Sequence, residues 1–504
     1  MAAANLPSPQ SLQLINPTLH VEVAMKRDFT KRTTAQEVRK VIKEWLCASY
    51  RYVSVGMTIA LNEDLEHMEL VDFIEIAGYS GPPEGNTSNV YRLEKMEIDI
   101  QPYSLCEDHT IRDSNRAGER RLEAPLCMIR AARVMSLPHA MLKDAWGSLV
   151  FDDNLGTNLL RHMVKHPQNH SNLNYADIFS HVQTRMIGVM RQPGLHLATF
   201  NMNRVCLLHG PPGSGKSTLC KALAQKLSIR LGGIFTSSVL IEVNTNELLS
   251  KFFGESSKLI ATIFDEIVRA AETDWERFVC VVIDEVETLA SSREAGISSG
   301  ECKDGMRAVN NLLMGLDKLH KLPNVQVLCT TNLLSVIDTA FLDRVDTKQL
   351  VPSPSSSAIY GIFRSCLNEL VRSGLIDTKT IQTDSVPLLP STVQSTPSKM
   401  ESALDTATGE MTPEPPKDEK WNIISSKEVP TLAATNVRFH NMPQAVGPRV
   451  LRLAEKCKGL SGRTLRRLPI IAVAMHTNSI VSLEQAVSAL EASAMDQVNG
   501  KGMP

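Results

Sequence analysis

The stretch that most constrains this chain runs from Arg204 to Ala224, RVCLLHGPPGSGKSTLCKALA. Gly210 to Ser217 fits G-x-x-x-x-G-K-[ST], the pattern of a loop that wraps a polyphosphate. Before it, Val205 to Leu208 is a short apolar run, read as a buried parallel strand. Behind it, Leu219, Leu223 and Leu227 recur every four residues, as on a helix with one packed face. Gly210, Gly213 and Gly215 let the backbone close round an anion that a Cβ would obstruct. Backbone N–H groups and the helix N-terminus then present fixed positive potential. Pro211, Pro212, Ser214 and Thr218 complete the loop's nucleotide-binding residues. Lys216 is expected to reach the terminal phosphates, and the Ser217 hydroxyl to complete the shell of a magnesium ion. The chain is expected to bind a nucleoside triphosphate.

Strand-like runs at Val205–Leu208, Val239–Val243, Val279–Ile283, Val325–Cys329 and Gln349–Val351 are separated by helical stretches. That alternation predicts an α/β fold over 204–352, with a five-stranded parallel sheet covered on both faces. After Pro352 helices dominate, at 358–373, 450–458, 462–475 and 483–495, so 353–504 reads as a helical lid. Within the lid, 377–445 reads as a disordered insertion, because Thr383 to Lys420 is rich in Ser, Thr, Pro and Glu and has no aromatic residue. Upstream, 1–17 reads as a disordered terminus and 18–136 as a small α+β recognition domain, its last strand at 126–135. Residues 137–203 form a linker that Trp146, Leu149, Val150 and Phe151 would dock onto the next domain.

Charge and cysteine usage exclude several classes. A net charge of −2 offers no global basic field for nucleic acid. Arg112, Arg116, Arg120 and Arg121 read as a solvated loop, with an acidic-partner site as the alternative. His162, His166, His170 and His181 have no cysteine among them and read as a polar loop rather than a zinc site. The ten cysteines contain no C-x-x-C pair, which suits a reducing compartment. No signal-peptide pattern or membrane-length apolar run is visible, so a soluble intracellular protein is expected.

Chemistry-bearing residues follow the loop in order. Phe278–Ile283 is an apolar strand ending in Asp284 and Glu285, at the crevice where ligands of open α/β sheets sit. Asp284 can hold magnesium, and Glu285 can orient or deprotonate an attacking water. Asn332 ends the next strand, where it would help place that water. Arg344 follows in FLDRVD, where an edge position would let it stabilise phosphoryl charge on a neighbouring subunit. Alone, either residue reads equally well as an ordinary loop residue. Arg463 opens a late helix behind Ser461; it is a nucleotide-sensing arginine or a solvated one. Phe252 and Phe253 read as core from the burial tendency of phenylalanine, or else as an exposed loop that grips polypeptide.

The ordered set GPPGSGKS, VVIDE, CTTN, Asp343-Arg344 and GLSGR resembles the AAA+ ATPases. GPPGSGKSTLCKALAQKLSIRL, SKFFGESSKL, VIDEVETLASSR, FLDRVDTKQ and GLSGRTLRRLP are similar to the pachytene checkpoint protein 2 family, over about residues 200–375 and 448–480. The resemblance implies ATP and Mg2+, a homohexameric ring, and Phe252 and Phe253 as pore-loop residues. It implies HORMA-domain clients converted from a closed to an open form, an N-terminal domain that recognises the client or a HORMA adaptor, and no direct nucleic-acid or membrane partner. Roles in meiotic recombination, chromosome-axis control and spindle-checkpoint regulation follow from it, as does a place in the nucleus, on chromosomes and in the cytoplasm. Two departures are visible: 166–190 and 383–420 are longer than the family pattern, and Arg344 stands alone where many AAA+ proteins carry two arginines. The rival readings are another AAA+ unfoldase and a nucleotide-gated scaffold with little hydrolysis. The Asp284–Glu285 pair weighs against the scaffold.

Overall fold

A computed structural model describes residues 17–26, 32–59, 70–80, 90–107, 131–143, 145–147, 149, 203–249, 256–290, 303–377, 428–439, 442–476 and 481–500. They divide into two compact units, Met1–Ala358 with Gly459–Thr464, and Ile359–Lys458 with Leu465–Pro504.

The first unit opens with a sheet of order β3-β4-β1-β6, from β1 (Thr18–Met25), β3 (Thr58–Ile59), β4 (Val71–Ser80) and β6 (Glu97–Ser104). β1 runs antiparallel to β4 and parallel to β6. Helix α1 (Arg32–Ser49) buries Val38, Ile42 and Leu46 against it, four residues apart as one helical face requires. Short strands β2 (Tyr52–Ser54) and β5 (Val90–Arg92) pair beside this α+β layer.

The larger sheet has the order β12-β8-β11-β10-β9-β7. Its strands are β7 (Ala132–Leu137), β8 (Val205–His209), β9 (Ser237–Val243), β10 (Arg277–Ile283), β11 (Val325–Thr331) and β12 (Thr347–Leu350). Five are parallel, at the positions expected from the apolar runs. The sixth corrects the sequence reading. The strand placed at 126–135 in the N-terminal domain is Ala132–Leu137, and it pairs antiparallel with β9 on the sheet's edge. Successive side chains alternate between two cores, as the pleat demands. Val205, Leu207, Val279, Val281 and Ile283 pack on one face, and Cys206, Leu208, Phe278, Cys280 and Val282 on the other. Helix α2 (Lys216–Arg230) covers the second face with Leu219, Leu223 and Leu227. The first face is covered by α4 (Ser256–Thr273) and α5 (Lys303–Leu319), which follow the short α3 (Thr245–Leu249), and by Phe341 of the short α6 (Thr339–Leu342). From the linker, Trp146 and Leu149 dock on the core as expected, and His139 exchanges hydrogen bonds with Gln225 at 2.8 and 3.0 Å. Val150 and Phe151, the four histidines and the four loop arginines lie outside the described residues.

The second unit holds most of α7 (Ser356–Arg372) and α10 (Gly462–His476), together with α8 (Leu432–Arg438), α9 (Val446–Lys456) and α11 (Leu483–Gly500). Strands Ile376–Asp377 and Val481–Ser482 pair in parallel beside them. The insertion placed at 377–445 is shorter than expected at its end, since α8 is ordered against α7. Tyr360 Oη donates to Pro430 O at 2.8 Å, and Arg364 Nε donates to Val429 O at 3.0 Å.

Candidate nucleotide site

The loop between β8 and α2 is a cradle that only glycine permits. Gly210, Gly213 and Gly215 all have positive φ, at 146°, 73° and 97°. A Cβ on Gly210 would lie 2.2 Å from Val351 O, and one on Gly213 would lie 2.6 Å from Ser461 Cβ. The second approach brings the turn before α10 onto the loop, where Gly462 N–H donates to Gly213 O at 2.8 Å. Lys216, nearly buried, donates through Nζ to Gly210 O at 2.9 Å and Pro211 O at 2.8 Å. Burial lowers its pKa, while Glu287, Asp284 and Glu285, in that order, favour the cation.

Parallel register brings the acids to this loop. Ile283 pairs with Cys329 and Thr331 with His209, so the ends of β8, β10 and β11 lie level. Ser217 Oγ donates to Asp284 Oδ1 at 2.7 Å, and Thr330 Oγ1 donates to the same oxygen. Thr330 Oγ1 also accepts from Glu285 N–H at 3.1 Å. Glu285 itself sits in the left-handed region at φ 52°, which costs a non-glycine residue about 1–3 kcal/mol. Neighbours hold it there: Thr288 Oγ1 donates to Glu285 O at 2.8 Å, and Thr245 Oγ1 donates to Asp284 O at 3.0 Å. A cavity of about 480 Å³ opens beside the acids, lined by Ser217, Lys221, Glu242, Asn244, Asp284 and Glu285 among others.

Of the remaining sequence candidates, Asn332 lies just past β11, its N–H donating to Glu287 Oε1 at 3.0 Å. Arg463 is exposed in the first turn of α10, one residue beyond the Gly462–Gly213 contact. Arg344 is not among these groups. It forms a two-pronged pair with Asp317 of α5, Nε to Oδ1 at 2.7 Å and Nη2 to Oδ2 at 2.9 Å, and Nη1 donates to Ala340 O at 2.8 Å. The hydrogen bond to Asp317 raises its pKa and lowers that of Asp317. Phe252 and Phe253 lie outside the described residues.

Thr330 and Glu287 escaped the sequence reading. Each had a signal in retrospect: a hydroxyl on the strand beside the acidic one, and a third acid in Asp284-Glu285-Val286-Glu287.

Comparison with known proteins agrees with this geometry. Residues 206–353 match the ATPase family associated with various cellular activities (AAA), residues 14–108 the TRIP13 N-terminal domain, and residues 415–498 the TRIP13-like AAA+ ATPase lid C-terminal domain. A pachytene checkpoint protein 2 homolog of Oryza sativa subsp. indica is 37% identical over 68% of this chain; the matched stretch is 61% of that protein's length. The homolog of Arabidopsis thaliana is 36% identical over 90% of this chain and 82% of its own. The solved structure of C. elegans PCH-2 has the same fold, with a TM-score of 0.63 at 24% identity over 96% of this chain and 99% of that one. The chain is an ATP-binding AAA+ ATPase, and it belongs to the pachytene checkpoint protein 2 family.

Proposed function

We propose that the chain couples ATP hydrolysis to the opening of HORMA-domain proteins, working as a homohexamer. The observation that carries the hydrolytic half is the knot of Ser217, Thr330 and Asp284 beside the strained Glu285. It puts a hydroxyl–carboxylate pair and a second acid at one crevice, next to a cradle shaped for phosphates. The Ser217 hydroxyl and Asp284 carboxylate are hard oxygen donors, the kind Mg2+ takes in small number alongside substrate phosphates. Bound there, the ion would neutralise charge on the transferring phosphoryl group.

The chain's own residues do the rest. The loop 210–218 holds the phosphates through its N–H groups, with Lys216 giving its ammonium to the terminal ones. Glu285 takes the proton of the attacking water, Asn332 orients that water, and Arg463 senses the nucleotide. Arg344 acts on the neighbouring subunit's nucleotide, and Phe252 and Phe253 transmit the pull to the client. The hexamer, the HORMA client and a possible HORMA adaptor rest on family membership and on the motifs shared with it. So do work on meiotic chromosome axes and the spindle checkpoint, and a place in the nucleus, on chromosomes and in the cytoplasm. No helix of the described residues is long and apolar enough to cross a membrane.

The test is Glu285→Gln in the full chain. Turnover should fall by about 10²–10⁴-fold, the range for losing a general base, while ATP binding persists. A pull-down with this variant should retain a HORMA-domain protein, and light scattering with ATP should read six chains. Unchanged turnover would remove Glu285 from its role; a captured client without a HORMA domain would remove the proposed substrate class.

A further inference from the structure

Glu287 sits in the short 3-10 turn Val286–Thr288 that follows the strained Glu285. Its Oε1 accepts the N–H of Asn332 at 3.0 Å, so a side chain from beyond β10 holds the first residue beyond β11. Its other oxygen, Oε2, is buried with no hydrogen-bond partner among the described residues. An orphaned buried acceptor costs about 1–3 kcal/mol, so the fold alone would favour another residue here. Nor does the local backbone depend on this side chain. Thr288, Leu289 and Ala290 close the turn through their own N–H groups, and β10 and β11 are already joined from Val279–Val325 to Ile283–Cys329. Beyond its charge, which favours the Lys216 cation, Glu287 adds one directed bond, to the main chain of the residue that bears the amide.

We propose that Glu287 is a positioning residue for ATP hydrolysis: its grip on the Asn332 main chain fixes the Asn332 amide relative to Asp284 and Glu285. Glu287 touches no reacting atom and acts through Asn332, so the proposal rests on the role of Asn332 given above. Only an acceptor oxygen at that reach is needed, which glutamine supplies and alanine does not.

The experiment is a cycle of Glu287→Ala, Asn332→Ala and the double variant in the full chain, with Glu287→Gln beside it, read as steady-state kcat and KM for ATP. Glu287→Ala should lower kcat by about tenfold, inside the hundredfold that misplacement by an ångström can cause, with KM changed less than about twofold. The double variant should be no slower than the slower single one. Glu287→Gln should recover most of the loss. If Glu287→Ala fails to fold, Glu287→Asp, one methylene too short, takes its place with the same expectations. Losses that multiply in the double variant, a kcat untouched by Glu287→Ala, or a Gln variant as slow as Ala would overturn the proposal. Asn332→Ala with normal kcat would instead remove the reading beneath it, so the two failures are told apart.

Discussion

Two charged contacts in the first unit use the same chemistry in opposite settings. At the end of α2, Lys226 Nζ lies 2.7 Å from Glu22 Oε2 of β1, with Glu75 3.9 Å from Lys226 and Arg230 Nε 3.9 Å from Glu22 Oε1. Glu22, Lys226 and Arg230 are all buried. The second contact is Arg344 with Asp317, whose side chains are 28% and 54% exposed. Withdrawing charges from water is costly, so a buried pair that loses one partner strands the other. An exposed pair is worth only about 0–1 kcal/mol, toward the upper end where the geometry is bidentate. The first contact is therefore a permanent tie. Since α2 begins at the phosphate loop with Lys216 and ends at Arg230, one helix joins the nucleotide loop to the N-terminal sheet. The second contact is the more easily released, which the role proposed for Arg344 on a neighbouring subunit requires.

Between the two contacts, Arg344→Ala has the largest effect expected. On the arginine-finger reading kcat should fall by about 10³-fold, the low end for such residues. The thermal midpoint should barely move, because an exposed pair contributes little to stability. Mixing Arg344→Ala with Lys216→Ala chains should restore part of the activity, since each supplies what the other lacks at a shared site. Absence of recovery would assign Arg344 to its own subunit.

Glu22→Ala should reverse that pattern. Removing the shared carboxylate leaves Lys226 and Arg230 buried without it, at a cost of about 3–5 kcal/mol. The first denaturant transition should move accordingly, while Glu22→Leu with Lys226→Met should restore most of the stability. The pH dependence has a definite sign. Burial lowers the Lys226 pKa, but Glu22 and then Glu75 outweigh it, so the folded value lies above the ordinary 10.5. A raised pKa means that the contribution is whole below pH 10.5 and is lost only as pH rises through the folded value. A destabilisation by Glu22→Ala that faded between pH 7 and 9 would show that Lys226 is not the partner.

This tie was not legible in the sequence, and the reason is general. Lys216, Ser217 and Asp284 could be named because phosphate chemistry demands those residue types at a spacing visible along the chain. The five parallel strands could be named because a sheet buried on both faces needs continuous apolar runs. Glu22 and Lys226 are 204 residues apart, and Thr330 and Asp284 are 46 apart. Nothing local marks either pair. The edge strand Ala132–Leu137 was read as a strand but given to the wrong sheet, since its pattern carries no sign of its partner Ser238–Val243. Helix α8 was hidden by its length, since the 7 residues of Leu432–Arg438 are too few to show a helical period. Its place is held by particular contacts, such as Tyr360 Oη to Thr435 Oγ1 at 2.8 Å, and by Gly447, where a Cβ would lie 2.6 Å from Thr435 Oγ1.

Asp317→Asn is the smallest effect and the sharpest test of the contrast. It keeps the side chain's shape, removes the countercharge, and should change stability by less than about 1 kcal/mol. Basal turnover should rise by about two- to threefold, a barrier change of under about 1 kcal/mol, as Arg344 is more readily released. The hydrogen bond from Arg344 holds the Asp317 pKa below its ordinary 3.8. A depressed carboxylate contributes above that value and loses the contribution as pH falls through the folded one. The midpoint difference between wild type and Asp317→Asn should thus stay level from pH 7 to about 4 and close only in stronger acid. An Asp317→Asn variant as slow as Arg344→Ala would mean that Asp317 holds the arginine in its working position, and the two contacts would no longer differ in kind.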